Sequence, residues 1–183
     1  MSTDRSSYHV NNFNHVFKDI CNTYSPKTIL EIGILDGYSL SAFVEHTNEN
    51  TKIVAVDLFE KYEYKSSNHS SILERFSKYS NVKIEKGNFY EYFQFINKID
   101  LIHIDISNDA DTYKFAVEHY LPLCNKALLL EGGSLERDNV DWMIKYNKPP
   151  INKYLKQIND NYEIEIIPKY PSITIIKSEK IND

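Results

Sequence analysis

The sequence predicts an α/β fold: a mostly parallel sheet of seven strands, helices on both faces, and a C-terminal antiparallel hairpin. Three observations carry that expectation. Short apolar runs rich in β-branched residues recur at Thr28–Ile32, Lys52–Asp57, Val82–Lys86, 101–105 and 127–131. Stretches with apolar residues at helical spacing lie between them, at 39–46, 70–80 and 112–121. Two further runs, Tyr162–Ile167 and 172–177, are joined by a short turn that begins at Pro168 and ends at Pro171.

The elements follow in order along the chain. From Tyr8 to Tyr24 the pattern of Val10, Phe13, Val16, Phe17 and Ile20 predicts one leading helix that ends before Pro26, placed to cap a ligand cleft. The five runs that follow are nearly continuous in Ile, Leu and Val, as in interior strands covered on both faces. Each intervening stretch is long enough for a crossover helix, and Tyr113, Ala116, Val117 and Tyr120 mark the apolar face of one of them. The last two runs read as a hairpin. Before them, Trp142, Met143 and Tyr146 stand at near-helical spacing and are expected to pack as a core or as a homodimer face.

A chain of 183 residues suits one domain, 1–183, with a leading helix at 1–26, a ligand-binding core at 27–135 and a substrate-side segment with the terminal hairpin at 136–183. Apolar residues form 42% of it, enough to offset ordering entropy. The formal charge of −5, without a Lys/Arg cluster, argues against nucleic acid as a partner. Lys61, Lys65 and Lys78 alternate with acids and serines and read as solvated surface. Cys21 and Cys124 lie at no zinc-ligand spacing and are expected to be reduced core thiols. The start of the chain is polar, and no apolar run approaches the roughly 20 residues of a membrane span, so a cytoplasmic protein acting on a small molecule, away from membranes, is expected.

The most informative segment is ILEIGILDGYSLSAF, a strand entering a turn with Gly33 and Gly37, then a helix that Ser39 is placed to cap. A ligand lies against backbone at the carboxyl end of the first strand only where side chains are absent and positive φ is allowed. A dinucleotide fingerprint needs three glycines there, whereas Ile34 and Leu35 fill the space. Asp36 opposes pyrophosphate as well, since a unit charge about 4 Å away is worth roughly 4 kcal/mol at an effective dielectric of about 20. S-adenosylmethionine carries a sulfonium and an ammonium instead, which Glu31 and Asp36 suit. Asp57 closes the second strand about twenty residues on, where an acid accepts both ribose hydroxyls; a helix N-cap or an exposed strand end is the other reading. Beyond the third strand, Gly87, Asn88 and Phe89 offer a turn, an amide and a ring for adenine, or a loop glycine followed by a core phenylalanine.

On these residues the chain resembles the class I S-adenosylmethionine-dependent methyltransferases, and LEIGILDGYSL is most similar to the catechol and caffeoyl-coenzyme A O-methyltransferase branch. The resemblance implies a Rossmann-like sheet with the last strand inserted. It also implies a methionyl pocket lined by Glu31, Gly33, Gly37, Tyr38 and Ser39, with Asp57 on ribose. That branch binds a divalent metal through an acid after the fourth strand and an Asp-Asn pair after the fifth. Asp105 fits the first position, but the second reads Glu131-Gly132, so no metal is expected.

Methyl transfer to a hydroxyl needs alignment and a base. Asp105 and Glu131, at the carboxyl ends of adjacent strands, are the catalytic candidates, with a helix-capping acid as the plain alternative for Asp105. Asp109 and Asp111, in the polar loop after the fourth strand, are expected to contact substrate. Arg137 is expected to clamp a substrate anion, or else to pair with Asp138 or Glu136. His103 reads as a hydrogen-bonded core residue. The expected function is O-methylation of a small polar metabolite such as a sugar derivative, by resemblance to small stand-alone bacterial methyltransferases found with polysaccharide enzymes. Two rivals remain: a methyltransferase-like nucleoside-binding or accessory protein that transfers no methyl, and an NAD-dependent oxidoreductase.

Overall fold

The computed structural model describes residues 5–59 and 67–180, with side chains through 178; Lys61 and Lys65 lie outside the described residues. The chain divides into two compact units, 1–95 and 96–183.

The first unit begins with α1 (Ser7–Val10) and α2 (Asn14–Tyr24). The single leading helix expected from periodicity is therefore broken, because Asn12 takes a positive φ of 55° and turns the chain. Its apolar set is still spent on packing: Tyr8, Phe13, Phe17 and Ile20 are buried, although Val10 is exposed. Three strands follow, β1 (Thr28–Ile32), β2 (Lys52–Asp57) and β3 (Val82–Lys86), alternating with α3 (Tyr38–His46), α4 (His69–Phe76) and the short α5 (Phe89–Tyr92). All three pair in parallel in the order β3-β2-β1, with Thr28 opposite Lys52 and Ile53 opposite Val82. β1 is buried after its first residue, as a two-sided strand should be. β3 is only half-buried and exposes Lys83 and Lys86, so the expectation of five interior strands does not hold for it; it pairs with β2 alone in this unit, and lysines on such a strand guard its open edge. α2 packs on α3 through Phe17 and Phe43, whose rings meet edge to face at 5.2 Å.

The second unit holds β4 (Ile99–Ile104), α6 (Ala110–His119), β5 (Cys124–Glu131), α7 (Leu135–Asp138), α8 (Asp141–Lys145), α9 (Ile151–Ile158), β6 (Tyr162–Ile167) and β7 (Ile173–Lys180). β4 and β5 are parallel, and β7 lies antiparallel between β5 and β6, giving the order β4-β5-β7-β6. The hairpin and the insertion of its last strand are thus present. Leu101, Ile102, Ile104, Leu128, Leu129, Leu130, Ile173 and Ile176 form the core, and His103 is buried with them. Of the trio expected to share one face, Met143 is buried and Tyr146 is exposed, because α8 is too short to present one continuous stripe. Cys21 and Cys124 are buried free thiols; burial raises Cys21 to about 12 and Cys124 further. Among the described residues no helix is long and apolar enough to cross a membrane.

Candidate active site

In the first unit the functional candidates gather at the carboxyl ends of the strands. β1 delivers Glu31, which is fully buried, and the chain then turns through Gly33–Gly37 into α3. Gly37, and not Ser39, is the residue at the helix cap, with φ 72° and ψ 35°. A Cβ there would lie 2.9 Å from Phe76 Cε2, so both the left-handed backbone and the close approach of α4 require glycine. Since the helix starts one residue earlier than expected, the buried Ser39 is inside its first turn, and its hydroxyl donates to the Glu31 carboxylate.

Asp57 ends β2 and organises the same turn. Its Oδ2 accepts from Ile34 N–H at 2.8 Å and its Oδ1 from Phe59 N–H at 2.8 Å. The Asp57 carbonyl accepts from Gly87 N–H at 3.0 Å, which sets the start of the next loop beside it. In that loop Asn88 caps α5, its side chain accepting from Tyr90 N–H, while Phe89 is buried against the Tyr90 ring. Asp36, which the sequence offers as a partner for a cationic ligand, has its carboxylate engaged by Arg5 through both oxygens. Sequence distance hid that pair. Tyr38 meets the His9 ring edge to face at 5.5 Å, so α1 lies against the start of α3, and burial raises its phenol. A cavity of about 570 Å³ lined by Pro26, Lys27, Asn48 and Thr51 opens at the amino ends of β1 and β2, the end opposite to the glycine turn.

The second unit places Asp105 just after β4 and Glu131 at the end of β5. Glu131 is buried and held by Arg137, whose Nε donates to Oε1 and whose Nη2 donates to Oε2 at 2.8 Å. Arg137 therefore pairs with neither Asp138 nor Glu136: Asp138 instead accepts the N–H groups of Ile151 and Asn152 at the start of α9, at 2.9 and 2.8 Å. The guanidinium is itself buried, stands 4.8 Å from the Trp142 ring, and leaves Nη1 without a hydrogen-bond partner. Burial alone would loosen its proton, but the hydrogen bonds and charge of Glu131 outweigh this and Asp105 adds to the field, so Arg137 is raised. Burial also raises the Tyr170 phenol; Arg137 opposes that rise, while Glu131 and Asp105 add to it.

Asn108, which sequence reasoning passed over, is fully buried and donates to the carbonyls of Ile104 and Glu131, both at 2.9 Å. Only its place beside two acids in a polar loop hinted at it. Asp109 caps α6 by accepting from Thr112 N–H at 3.0 Å and pairs with Lys148 at 3.0 Å. Burial pushes its carboxyl up, but Thr112 and Lys148 outweigh this and hold it below the usual range. Asp111, in the first turn of α6, is exposed. Among the described residues no three His, Cys, Asp or Glu side chains are grouped so as to hold a metal.

A family model described as Methyltransferase domain matches residues 30–130, from the first strand through the fifth. The chain belongs to this methyltransferase family. Its members of class I depend on S-adenosylmethionine, and the Rossmann-like sheet and inserted last strand agree with that assignment. Solved methyltransferases share the fold. One from Staphylococcus aureus, provisionally assigned as a caffeoyl-CoA O-methyltransferase, is 21% identical, with a TM-score of 0.66 over 93% of this chain and 88% of its own. The SAH-bound methyltransferase PaMTH1 of Podospora anserina is 20% identical, with a TM-score of 0.63 over 89% of this chain and 76% of its own. An O-methyltransferase from Bacillus cereus in complex with SAH is 16% identical, with a TM-score of 0.62 over 92% and 81%. No curated protein matches this methyltransferase.

Proposed function

We propose that this methyltransferase moves the methyl group of S-adenosylmethionine to a hydroxyl oxygen of a small polar metabolite, such as a sugar derivative, in the cytoplasm. One observation carries the reading: the turn from Gly33 to Gly37 after β1 is held by the Asp57 carboxylate, and the strand that enters it carries the buried Glu31 carboxylate. Glu31, Gly33, Gly37, Tyr38 and Ser39 take the methionyl end, Asp57 the ribose, and Asn88 with Phe89 the adenine. Each Asp57 oxygen spends one lone pair on a main-chain amide and keeps another for a ribose hydroxyl. The buried Glu31 supplies negative charge for a cationic ligand in low dielectric.

When bound, the cofactor supplies an electrophilic methyl on a positively charged sulfur. Asp105 would take up the proton that the acceptor hydroxyl loses. Glu131 supports that end of the sheet, and Asp109, Asp111 and Arg137 contribute to the acceptor side. The sugar class is supported by Ser107 and the exposed Asp111 in the loop after β4 and at the start of α6, residue types that suit hydroxyl recognition. Titration calorimetry with S-adenosylmethionine tests the first part: micromolar binding is expected, and no heat at millimolar ligand sinks it. A sugar and nucleotide-sugar panel, read by mass increase of one methyl, tests the acceptor class.

A further inference from the structure

The O-methyltransferase branch that this chain resembles places a divalent metal between an acid after the fourth strand and an acid-amide pair after the fifth. The residues here do not fit one. Both oxygens of Glu131 are committed to Arg137, so neither faces an open coordination position. The next residue is Gly132, which has no donor, and its φ of 108° lies where an L side chain is strained. A Cβ there would also come within 2.8 Å of Ile151 Cδ1. The buried amide of Asn108 spends its nitrogen on two carbonyls and its oxygen on Ile106 N–H at 3.3 Å.

What stands at this place instead is a cation belonging to the chain. We propose that the Arg137 guanidinium replaces the divalent metal: it holds Glu131, sets a fixed positive charge beside Asp105, and makes methyl transfer here metal-independent. A purely structural pair would satisfy every guanidinium nitrogen, since buried donors are almost always bonded. Nη1 is buried without a partner, which marks a donor kept for something the protein alone does not supply. The Trp142 ring beside the guanidinium covers it from water, and a shielded cation acts on a developing oxyanion more strongly than a hydrated one. Arg137 sits on the four-residue α7, whose cap by Ser134 fixes where the guanidinium starts.

This inference rests on the methyltransferase reading above, and one experiment separates the two. Mn2+ is titrated into the full chain loaded with S-adenosylhomocysteine, with thermal melts in parallel, for the native protein, Arg137→Met and Arg137→Lys. The native protein and Arg137→Lys are expected to show no Mn2+ binding below millimolar and no shift in melting. In Arg137→Met, Glu131 loses its counter-charge, and at least a tenfold gain in Mn2+ affinity is expected, with a rise in melting temperature on adding the metal. Micromolar Mn2+ binding to the native protein overturns the proposal, as does a folded Arg137→Met that gains nothing. If Arg137→Met does not fold, the native and Arg137→Lys titrations decide. Failure of S-adenosylhomocysteine to bind at all would instead remove the cofactor reading. Once an acceptor is found, turnover unchanged by EDTA is expected, and loss restored by Mn2+ overturns the proposal.

Discussion

The glycine turn of the first unit and the charged cluster of the second are built by opposite means. The turn is made of main chain: a left-handed glycine, two amides gathered by Asp57, and one buried acid at the strand end. The cluster is made of side chains that converge from separate segments, Asn108 after β4, Glu131 on β5, Arg137 on α7 and Trp142 on α8. A site of the first kind recognises a ligand common to a whole family, because backbone geometry changes little from one sequence to another. A site of the second kind is free to differ from one sequence to another.

The largest effect expected on this contrast is in the second unit. Arg137→Ala strands a buried carboxylate and should cost about 3–5 kcal/mol of unfolding free energy, read from urea denaturation. A loss under 1 kcal/mol would show that Glu131 is not held as described. Next, Asp57→Asn sets an NH2 group against one of the two main-chain N–H groups that Asp57 holds, so it should cost about 1 kcal/mol of stability and weaken S-adenosylmethionine roughly 10- to 100-fold, the value of charge-assisted hydrogen bonds of about 1.5–3 kcal/mol. Unchanged affinity by calorimetry would break the assignment of the turn to the cofactor. Gly37→Ala should then cost about 1–2 kcal/mol for the left-handed backbone, plus whatever Phe76 needs to move.

The degree to which each region was legible follows from the same contrast. Glycines, strand periodicity and the distance from Gly37 to Asp57 are local signals, and β1, β2, β3 and β6 run from the first to the last residue that the sequence predicts. The Glu131–Arg137 pair is set by how α7 turns back after two glycines, and no local spacing encodes that turn. The same applies to Arg5 and Asp36, which are brought together by the packing of the N-terminal helices on α3. The break at Asn12 was hidden because an amphipathic pattern continues across it.

The smallest effect is a pH dependence confined to the second unit. Because the Asp109 carboxyl is held below its usual range by Thr112 and Lys148, its ionised form stabilises the fold above about pH 4, and that contribution disappears as pH falls through the lower folded value. Asp109→Asn keeps the cap but loses the charge that pairs with Lys148, so it should be about 0.5 kcal/mol less stable at neutral pH and converge with the native protein in acid. Curves that stay parallel down to about pH 2 would mean that the pairing with Lys148 contributes nothing.

Gly132 limits what a substitution can install at the end of β5. Because its backbone excludes ordinary residues and Ile151 crowds the vacancy, no single codon change installs an amide there without distorting the end of β5. Removing the arginine alone therefore frees Glu131 for a partial metal contact, while a complete divalent site would also need a new loop path and a smaller residue in place of Ile151.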